Sequence, residues 1–412
     1  MRITTLQMHK TGLANMLDNQ QQLNKTQQQV ASGRRVLTPS DDPVAATRIL
    51  QLEQDLALRE QFETNMTAAG NRLQLEEVTL GSISDSYARL KELTVEAGGG
   101  TLTKSDRQAI AAEVEQIQQS LVGLFNSRDA NGEYMFAGFQ GGEAPFQQVP
   151  NGRYEYQGDG GQRFLAIGTT TTVATGDSGK DLFVDVTAVK NSFTTAVNPL
   201  NQGTTQINPG FVIDEEAYGD FYPDDLVITF NPESALLPEQ ANFTVRRASD
   251  GRPVEGLINQ PYAQGRELEV AGMALTLSGS PESGDQVMVR STPKQSVTDT
   301  LYRLAYGLNN LEDTPDDANT LTTLIADSLT NLDYALATVS RTQSQIGARL
   351  NVVDNTRSLS ADITLVNQQV LSELQDVDLA EAVSRMSMQT TLLEAAQKSY
   401  TTISQLSLFN SM

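Results

Sequence analysis

The sequence predicts a mainly α-helical chain that carries a β-rich insert. Three observations support this: apolar residues recur seven apart near both ends, two long heptad segments lie inside those ends, and the pattern in the middle falls to period two. The implied division has three parts. Residues 1–40 and 376–412 form paired terminal coiled-coil helices, 41–140 and 295–375 a helical rod, and 141–294 a β-rich outer insert.

In the first segment Leu6 and Leu13, then Met16, Leu23 and Val30, lie seven apart among Gln, Asn and Thr. Gly33 can end this helix, and Asp42 before Pro43 makes an N-cap with proline at the first helical position, where its missing N–H costs nothing. From about 43 to 97, Leu52, Met66, Leu73, Leu80 and Tyr87 share one heptad phase, joined by Ile49, Leu56, Ile83 and Leu90. Gly98-Gly99-Gly100 stops that helix. Thr103 with Asp106 forms a capping box, and Ile110, Val114, Ile117, Leu121 and Leu124 predict a third helix returning along the second.

After Asn131-Gly132 the texture becomes strand-like. Arg153-Tyr-Glu-Tyr, Arg163-Phe-Leu-Ala-Ile, Leu182-Phe-Val-Asp-Val, Leu226-Val-Ile-Thr-Phe, Asn242-Phe-Thr-Val-Arg, Met273-Ala-Leu-Thr-Leu and Gln286-Val-Met-Val-Arg read as strands. They are divided by turn signals such as Asn151-Gly152, Asp250-Gly251 and Ala271-Gly272. Helical pattern resumes at Val297, Leu301, Leu304, Leu308 and Leu311, and beyond Pro315 at Ile325, Leu332, Val339, Ile346 and Val353.

The last stretch repeats the device of the first. Leu379, Met386, Leu393 and Tyr400 are seven apart, with Ala382, Ala396 and Ile403 three positions after three of them, and Asp376 is the expected N-cap with Asp378 in the first turn. The candidate interface therefore comprises Leu6, Leu13, Met16, Leu23, Val30, Leu379, Val383, Met386, Leu393, Ala396, Tyr400 and Ile403. Each terminal helix alone is marginal in water, so both are expected to gain order by packing.

The composition narrows the functional classes. A formal charge of −22 over 412 residues and a pI near 4.4 disfavour nucleic acid and anionic membrane surfaces, although residues 1–35 carry a net charge of +4. There is no cysteine, no apolar run long enough to span a bilayer, and no apolar core of a secretory signal near the amino end. The chain is thus expected to be cytoplasmic or exported by a route without a cleaved signal. His9 is the only histidine, so no His-x-x-x-His zinc motif can be written and no cofactor is expected. Asp214-Glu215-Glu216 with Asp220, Asp224 and Asp225 lacks the alternating calcium loop and reads as a solvated acidic loop. Paired carboxylates for glycoside hydrolysis need only meet in space, so sequence leaves them open. The glycines at 158–161 precede strand texture, which does not suit a phosphate loop.

Met-Arg-Ile-Thr-Thr at the start, Ala31-Ser32-Gly33-Arg34-Arg35-Val36 with Pro39-Ser40-Asp41-Asp42-Pro43-Val44-Ala45-Ala46, Asn131-Gly132-Glu133-Tyr134-Met135-Phe136-Ala137-Gly138 and Leu406-Ser407-Leu408-Phe409-Asn410 carry a resemblance. They are similar to the hook-associated protein 3 family of bacterial flagellar hook-filament junction proteins, within the flagellin-like superfamily. Flagellin shares the broader frame but typically closes on a Leu-Leu pair and lacks the Asp-Asp-Pro form. The resemblance covers roughly 1–145 and 297–412; Ser278-Gly-Ser-Pro-Glu-Ser-Gly-Asp-Gln-Val resembles a loop in the β modules of hook-associated proteins. It implies a flagellin-like rod and a secreted structural subunit of the flagellum, not an enzyme, exported by the flagellar type III apparatus. Its implied partners are copies of itself in a ring, the first hook-associated protein, flagellin, and an export chaperone on the C-terminal helix. The alternatives are flagellin itself or a flagellin-like rod whose insert is adhesive or enzymatic; absence of His-Glu-x-x-His argues against a zinc protease there.

Overall fold

The computed structural model describes residues 5–409 other than 101, 150, 151, 209 and 313; for Thr5, Leu6, Met8, His9, Asp316 and residues 403–409 the description stops at the backbone. The chain opens with α1 (Thr5–Ser32), α2 (Pro43–Ala97) and α3 (Lys104–Phe125). Two hairpins follow, β1 (Phe146–Gln148) with β2 (Tyr154–Tyr156), and β3 (Phe164–Ala166) with β4 (Thr172–Ala174). Next come β5 (Thr187–Val197), β6 (Gln206–Ile207), β7 (Phe211–Val212) and the short α4 (Glu215–Phe221). The remaining strands are β8 (Leu226–Asn231), β9 (Asn242–Arg247), β10 (Gln260–Pro261), β11 (Glu267–Val270), β12 (Met273–Ser278) and β13 (Gln286–Lys294). The chain closes on α5 (Val297–Asn310), α6 (Pro315–Gln375) and α7 (Leu379–Phe409). This is the mainly α class with a β-rich insert that the periodicities predict.

The chain divides into two compact units, Met1–Met66 with Ile167–Thr169 and Asp354–Met412, and Thr67–Ala166 with Thr170–Val353. In the second unit α2 and α6 run antiparallel: Lys91 pairs with Asp333, and Gly98 lies beside Ile325. Their buried rows are the heptads read from sequence, Leu73, Leu80 and Tyr87 on α2 and Ile325, Leu332, Val339, Ile346 and Val353 on α6. Each such apolar side chain contributes roughly 1.5–3 kcal/mol of burial. α3 returns along α2 through Arg89 to Glu113 at 2.7 Å, and α5 lies antiparallel to α3, with Gln118 Nε2 donating to Thr298 O and Arg107 to Leu311 O, both at 3.0 Å. The capping box at Thr103 and Asp106 forms in both directions.

Tyr87 is fully buried, and its hydroxyl has no partner among the described residues; burial pushes its pKa above the usual phenol range. An unsatisfied buried hydroxyl costs stability that a phenylalanine would not. Tyr87→Phe is therefore expected to raise the unfolding free energy by about 1 kcal/mol, seen as a higher denaturant midpoint at unchanged slope; a lower midpoint would mean that the hydroxyl is bonded.

The insert builds a five-stranded antiparallel sheet, β10-β9-β8-β13-β5, and a second of β11-β12-β6 with β7 also on β12. Strict alternation on β8 turns Leu226, Ile228 and Phe230 inward, where they meet Val245, Leu275 and Val287. Beside it an aromatic cluster closes the end of α3: Phe125 stacks on Phe183 at 4.0 Å, and Phe146 lies 5.1 Å from Phe125. Gly138 has φ +70 and sits where a Cβ would collide with Asp159, whose Oδ1 accepts from Phe139 N and Gly161 N at 2.9 and 2.7 Å. That backbone requirement gives the Met135-Phe136-Ala137-Gly138 motif a physical reason.

Four local expectations change. Residues 182–186 are read as a strand, but 182–184 belong to a single π-helical turn, Lys180–Val184, because Leu182 and Phe183 are both buried and a strand would point them to opposite faces. β5 is an unforeseen strand. The acidic run at 214–216 is not a loop: Asp214 caps α4, accepting from the Glu216 and Ala217 N–H groups at 3.0 Å, and Glu215 pairs with Lys190. Finally, α7 is capped by Asp378, which accepts from Ala380 N and Glu381 N at 2.9 and 3.1 Å, rather than by Asp376.

Candidate assembly interface

The first unit joins the two ends of the chain. α1 and α7 run antiparallel: Gly12 lies against the Tyr400 ring at one end, and at the other Val377 N donates to Gly33 O at 2.9 Å. Arg35 N donates to Gln375 O at 2.7 Å and its guanidinium to Leu374 O at 2.8 Å, so the chain around 33–35 is clasped to the α6–α7 junction. Gly33, at φ +70, makes the left-handed turn that ends α1.

The clasp is held by a charged turn. Asp41 Oδ2 accepts from Leu37 N and Thr38 N at 3.1 and 2.9 Å, and Lys25 Nζ lies 2.6 Å from its Oδ1. The Lys25 bond, then the Thr38 N–H, hold the Asp41 carboxyl down at about 2. Asp42 caps α2 by accepting from Ala45 N at 3.0 Å, which keeps its pKa low, with Arg35 adding to the effect. Carboxylates depressed in the folded state stabilise it above their unfolded pKa, so this turn weakens as pH falls from about 4 toward 2.

Along the seam, α1 turns Met16, Leu23 and Val30 inward together with Asn19, Thr26 and Gln29, and α7 turns in Ala382, Met386, Gln389, Leu393, Ala396 and Tyr400. The spacing on α7 alternates four and three, as a coiled-coil seam requires. Of the predicted set the structure thus brings together Met16, Leu23, Val30, Met386, Leu393, Ala396 and Tyr400. Leu13, Leu379 and Val383 instead stay exposed, at 44%, 55% and 47%. The side chains of Leu6 and Ile403 lie outside the described residues. Sequence reasoning missed the polar seam positions Thr26, Gln29 and Gln389, which no apolar pattern marks, and a second exposed apolar group of Leu17, Met388 and Leu392. The four-residue spacings Leu13–Leu17 and Met388–Leu392 are the signal that would have found the latter.

Among the described residues no cluster of three His, Cys, Asp or Glu side chains is placed to hold a metal ion, and no helix is long and apolar enough to cross a membrane.

The bacterial flagellin N-terminal helical region matches residues 3–140 and the bacterial flagellin C-terminal helical region residues 329–410, together more than half of the chain. A flagellar hook-associated protein 3 of Salmonella typhimurium is 33% identical over 190 residues, which is 46% of this chain and 58% of the relative. One of Escherichia coli is 24% identical over 409 residues, covering 99% of each. The crystal structure of a flagellar hook-associated protein-3 from Legionella pneumophila superposes with TM-score 0.53 at 29% identity, over 79% of this chain and 98% of that one. With both flagellin helical regions at its ends and hook-associated protein 3 relatives both in sequence and in structure, the chain belongs to the flagellin-like hook-associated protein 3 family.

Proposed function

We propose that this chain is a structural subunit of the bacterial flagellum, a junction adapter exported to the outside of the cell that links the hook, through the first hook-associated protein, to the flagellin filament. The observation that carries this beyond family membership is the α1–α7 hairpin. It leaves Leu13 and Leu17 on α1, and Leu379, Val383, Met388 and Leu392 on the two flanks of α7, exposed, apolar side chains that a solitary subunit has no use for. Neighbouring copies in a ring cover these side chains. Before assembly these exposed side chains on the C-terminal helix suit an export chaperone. The reading as a filament flagellin is weaker, because the relatives above, at 24–33% identity, bear the hook-associated protein 3 name, whereas a flagellin matched over a similar length is 21% identical. Since those relatives are structural flagellar proteins, no enzymatic step is assigned.

Deleting the gene tests the reading. Cells without the chain are expected to carry hooks without filaments and to shed flagellin into the medium, with filaments restored by the intact gene. Normal filaments in the deletion strain would overturn it.

A further inference from the structure

Glu76 stands in a row of α2 that is otherwise apolar and buried, seven residues after Ala69 and seven before Ile83. Arg349 takes the matching row of α6, after Ala335 and Thr342, and its guanidinium holds both oxygens of Asp177 at 2.8 and 2.9 Å. The Asp177 N–H donates to Glu76 Oε1 at 3.0 Å, while Glu76 Oε2 is buried without a partner among the described residues. The segment 174–179 is thereby bonded to both helices.

The surrounding charges are already matched. Arg72 pairs with Asp129 at 2.7 Å, Arg163 with Glu133 at 2.5 Å, and Arg349 with Asp177, while Gln162 Nε2 donates to Gly176 O and Asp177 Oδ1 at 3.1 and 2.8 Å. Asp181 and Arg341 line the same hollow as Asp177, so that Glu76 is the fifth carboxylate among four guanidiniums. Its ionised form would place an unmatched negative charge beside Asp177 in a buried layer, whereas its neutral form balances the cluster. Burial first, then the charge of Asp177, push the Glu76 carboxyl up to about 8, against the pull of the Asp177 N–H, Arg349 and Arg72.

We propose that Glu76 is a proton-operated latch: with a proton on its carboxyl the segment 174–179 stays seated on α2 and α6, and loss of that proton sets Glu76 against Asp177 and lifts the segment. A carboxyl raised above its unfolded value stabilises the fold fully below about 4.5 and loses that contribution as pH rises toward 8. The latch therefore opens on the alkaline side, in the opposite sense to the Asp41 turn.

Hydrogen exchange of the purified full-length chain between pH 6 and 9.5, corrected for intrinsic base catalysis, tests this. Opening of residues 174–180 is expected to grow by about ten-fold or more across this range, while the paired amides of β5 and β13 keep constant protection. Glu76→Gln, which mimics the protonated form, should abolish the rise, and Asp177→Asn, which removes the opposing charge, should shift its midpoint. Flat protection of 174–180 in the wild-type chain, or an equal rise in Glu76→Gln, overturns the proposal; neither result bears on the junction role.

Discussion

Cells whose only copy carries Leu393→Asp are expected to build hooks without filaments and to release unpolymerised flagellin. Leu393 lies on the face of α7 turned toward α1, between Gln389 and Ala396, in a seam whose apolar content is already diluted by Asn19, Thr26, Gln29 and Gln389. A carboxylate placed there without a partner costs on the order of several kcal/mol. A two-helix seam has little reserve to absorb that, since neither helix is stable alone. The penalty also recurs in every copy of a ring. The charged clasp at Gly33–Asp42 and the insert are remote in sequence from the substitution, so the second unit should remain folded. Met388→Asp makes a useful comparison, because Met388 is exposed and its replacement leaves the seam intact. If the outward face contacts neighbouring copies, Met388→Asp also blocks incorporation, but without loosening the α1–α7 hairpin in the free chain. Electron microscopy of hooks, with flagellin assayed in the supernatant, reads both variants. Normal filaments on cells shown to export Leu393→Asp would sink the assignment of this seam.

Sequence was most informative where burial is periodic and apolar. The row Leu73–Leu80–Tyr87 and the row from Ile325 to Val353 are buried as their spacing demands, and Thr103 with Asp106 caps α3 because that pair satisfies two orphan N–H groups at once. It was least informative where polar groups are buried for a partner far away in the chain. Ser192 breaks the apolar alternation of β5, yet it is buried because its hydroxyl accepts from Arg303, more than a hundred residues later. Thr26 and Gln29 fill the α1 seam, Thr26 by bonding back to Gln22 O and Gln29 by donating to Arg35 O at 2.6 Å, and neither bond leaves an apolar trace. Leu13 falls one position off the seam because Gly12 occupies it, giving the Tyr400 ring room. The choice of Asp378 over Asp376 as cap was undecidable locally: both are aspartates before an apolar run, and in the fold the Asp376 carboxylate turns back to accept from Ser372 Oγ while Asp378 Oδ1 takes the Ala380 and Glu381 N–H groups. Glu76 shows the same limit. Its heptad phase was visible, but only the fold brings Asp177 and Arg349 to it.

Asp299→Ala is expected to destabilise the second unit by about 3–5 kcal/mol, a large share of the total stability of a typical domain. Asp299 follows the N-cap Ser296 of α5, whose Oγ accepts its N–H at 3.0 Å, and Arg153 Nε and Nη2 both donate to Asp299 Oδ1 at 3.1 and 2.8 Å. Both side chains are buried, and Arg153 Nη1 continues to Thr195 O and Oγ1 at 2.9 and 2.8 Å, so one guanidinium joins β5, the approach to β2 and the start of α5. A turn later on α5, Arg303 is buried against the Phe193 ring and donates to Phe193 O at 2.6 Å. Burial pushes the Arg303 guanidinium down to about 10, while the charge of Asp299 works in the opposite direction. Removing Asp299 therefore takes from two buried cations, Arg153 and Arg303, the carboxylate charge that favours their ionised forms. The loss comes from their desolvation, so removing a cation as well should restore part of it: Arg153→Met with Asp299→Leu is expected to cost less than Asp299→Ala alone. Urea unfolding of the three chains, with hydrogen exchange along 187–197 to confirm that β5 loosens first, measures both claims. A cost below about 1 kcal/mol for Asp299→Ala, the range of an exposed ion pair, would show that water reaches this site and that the pair does not hold the insert to the helices.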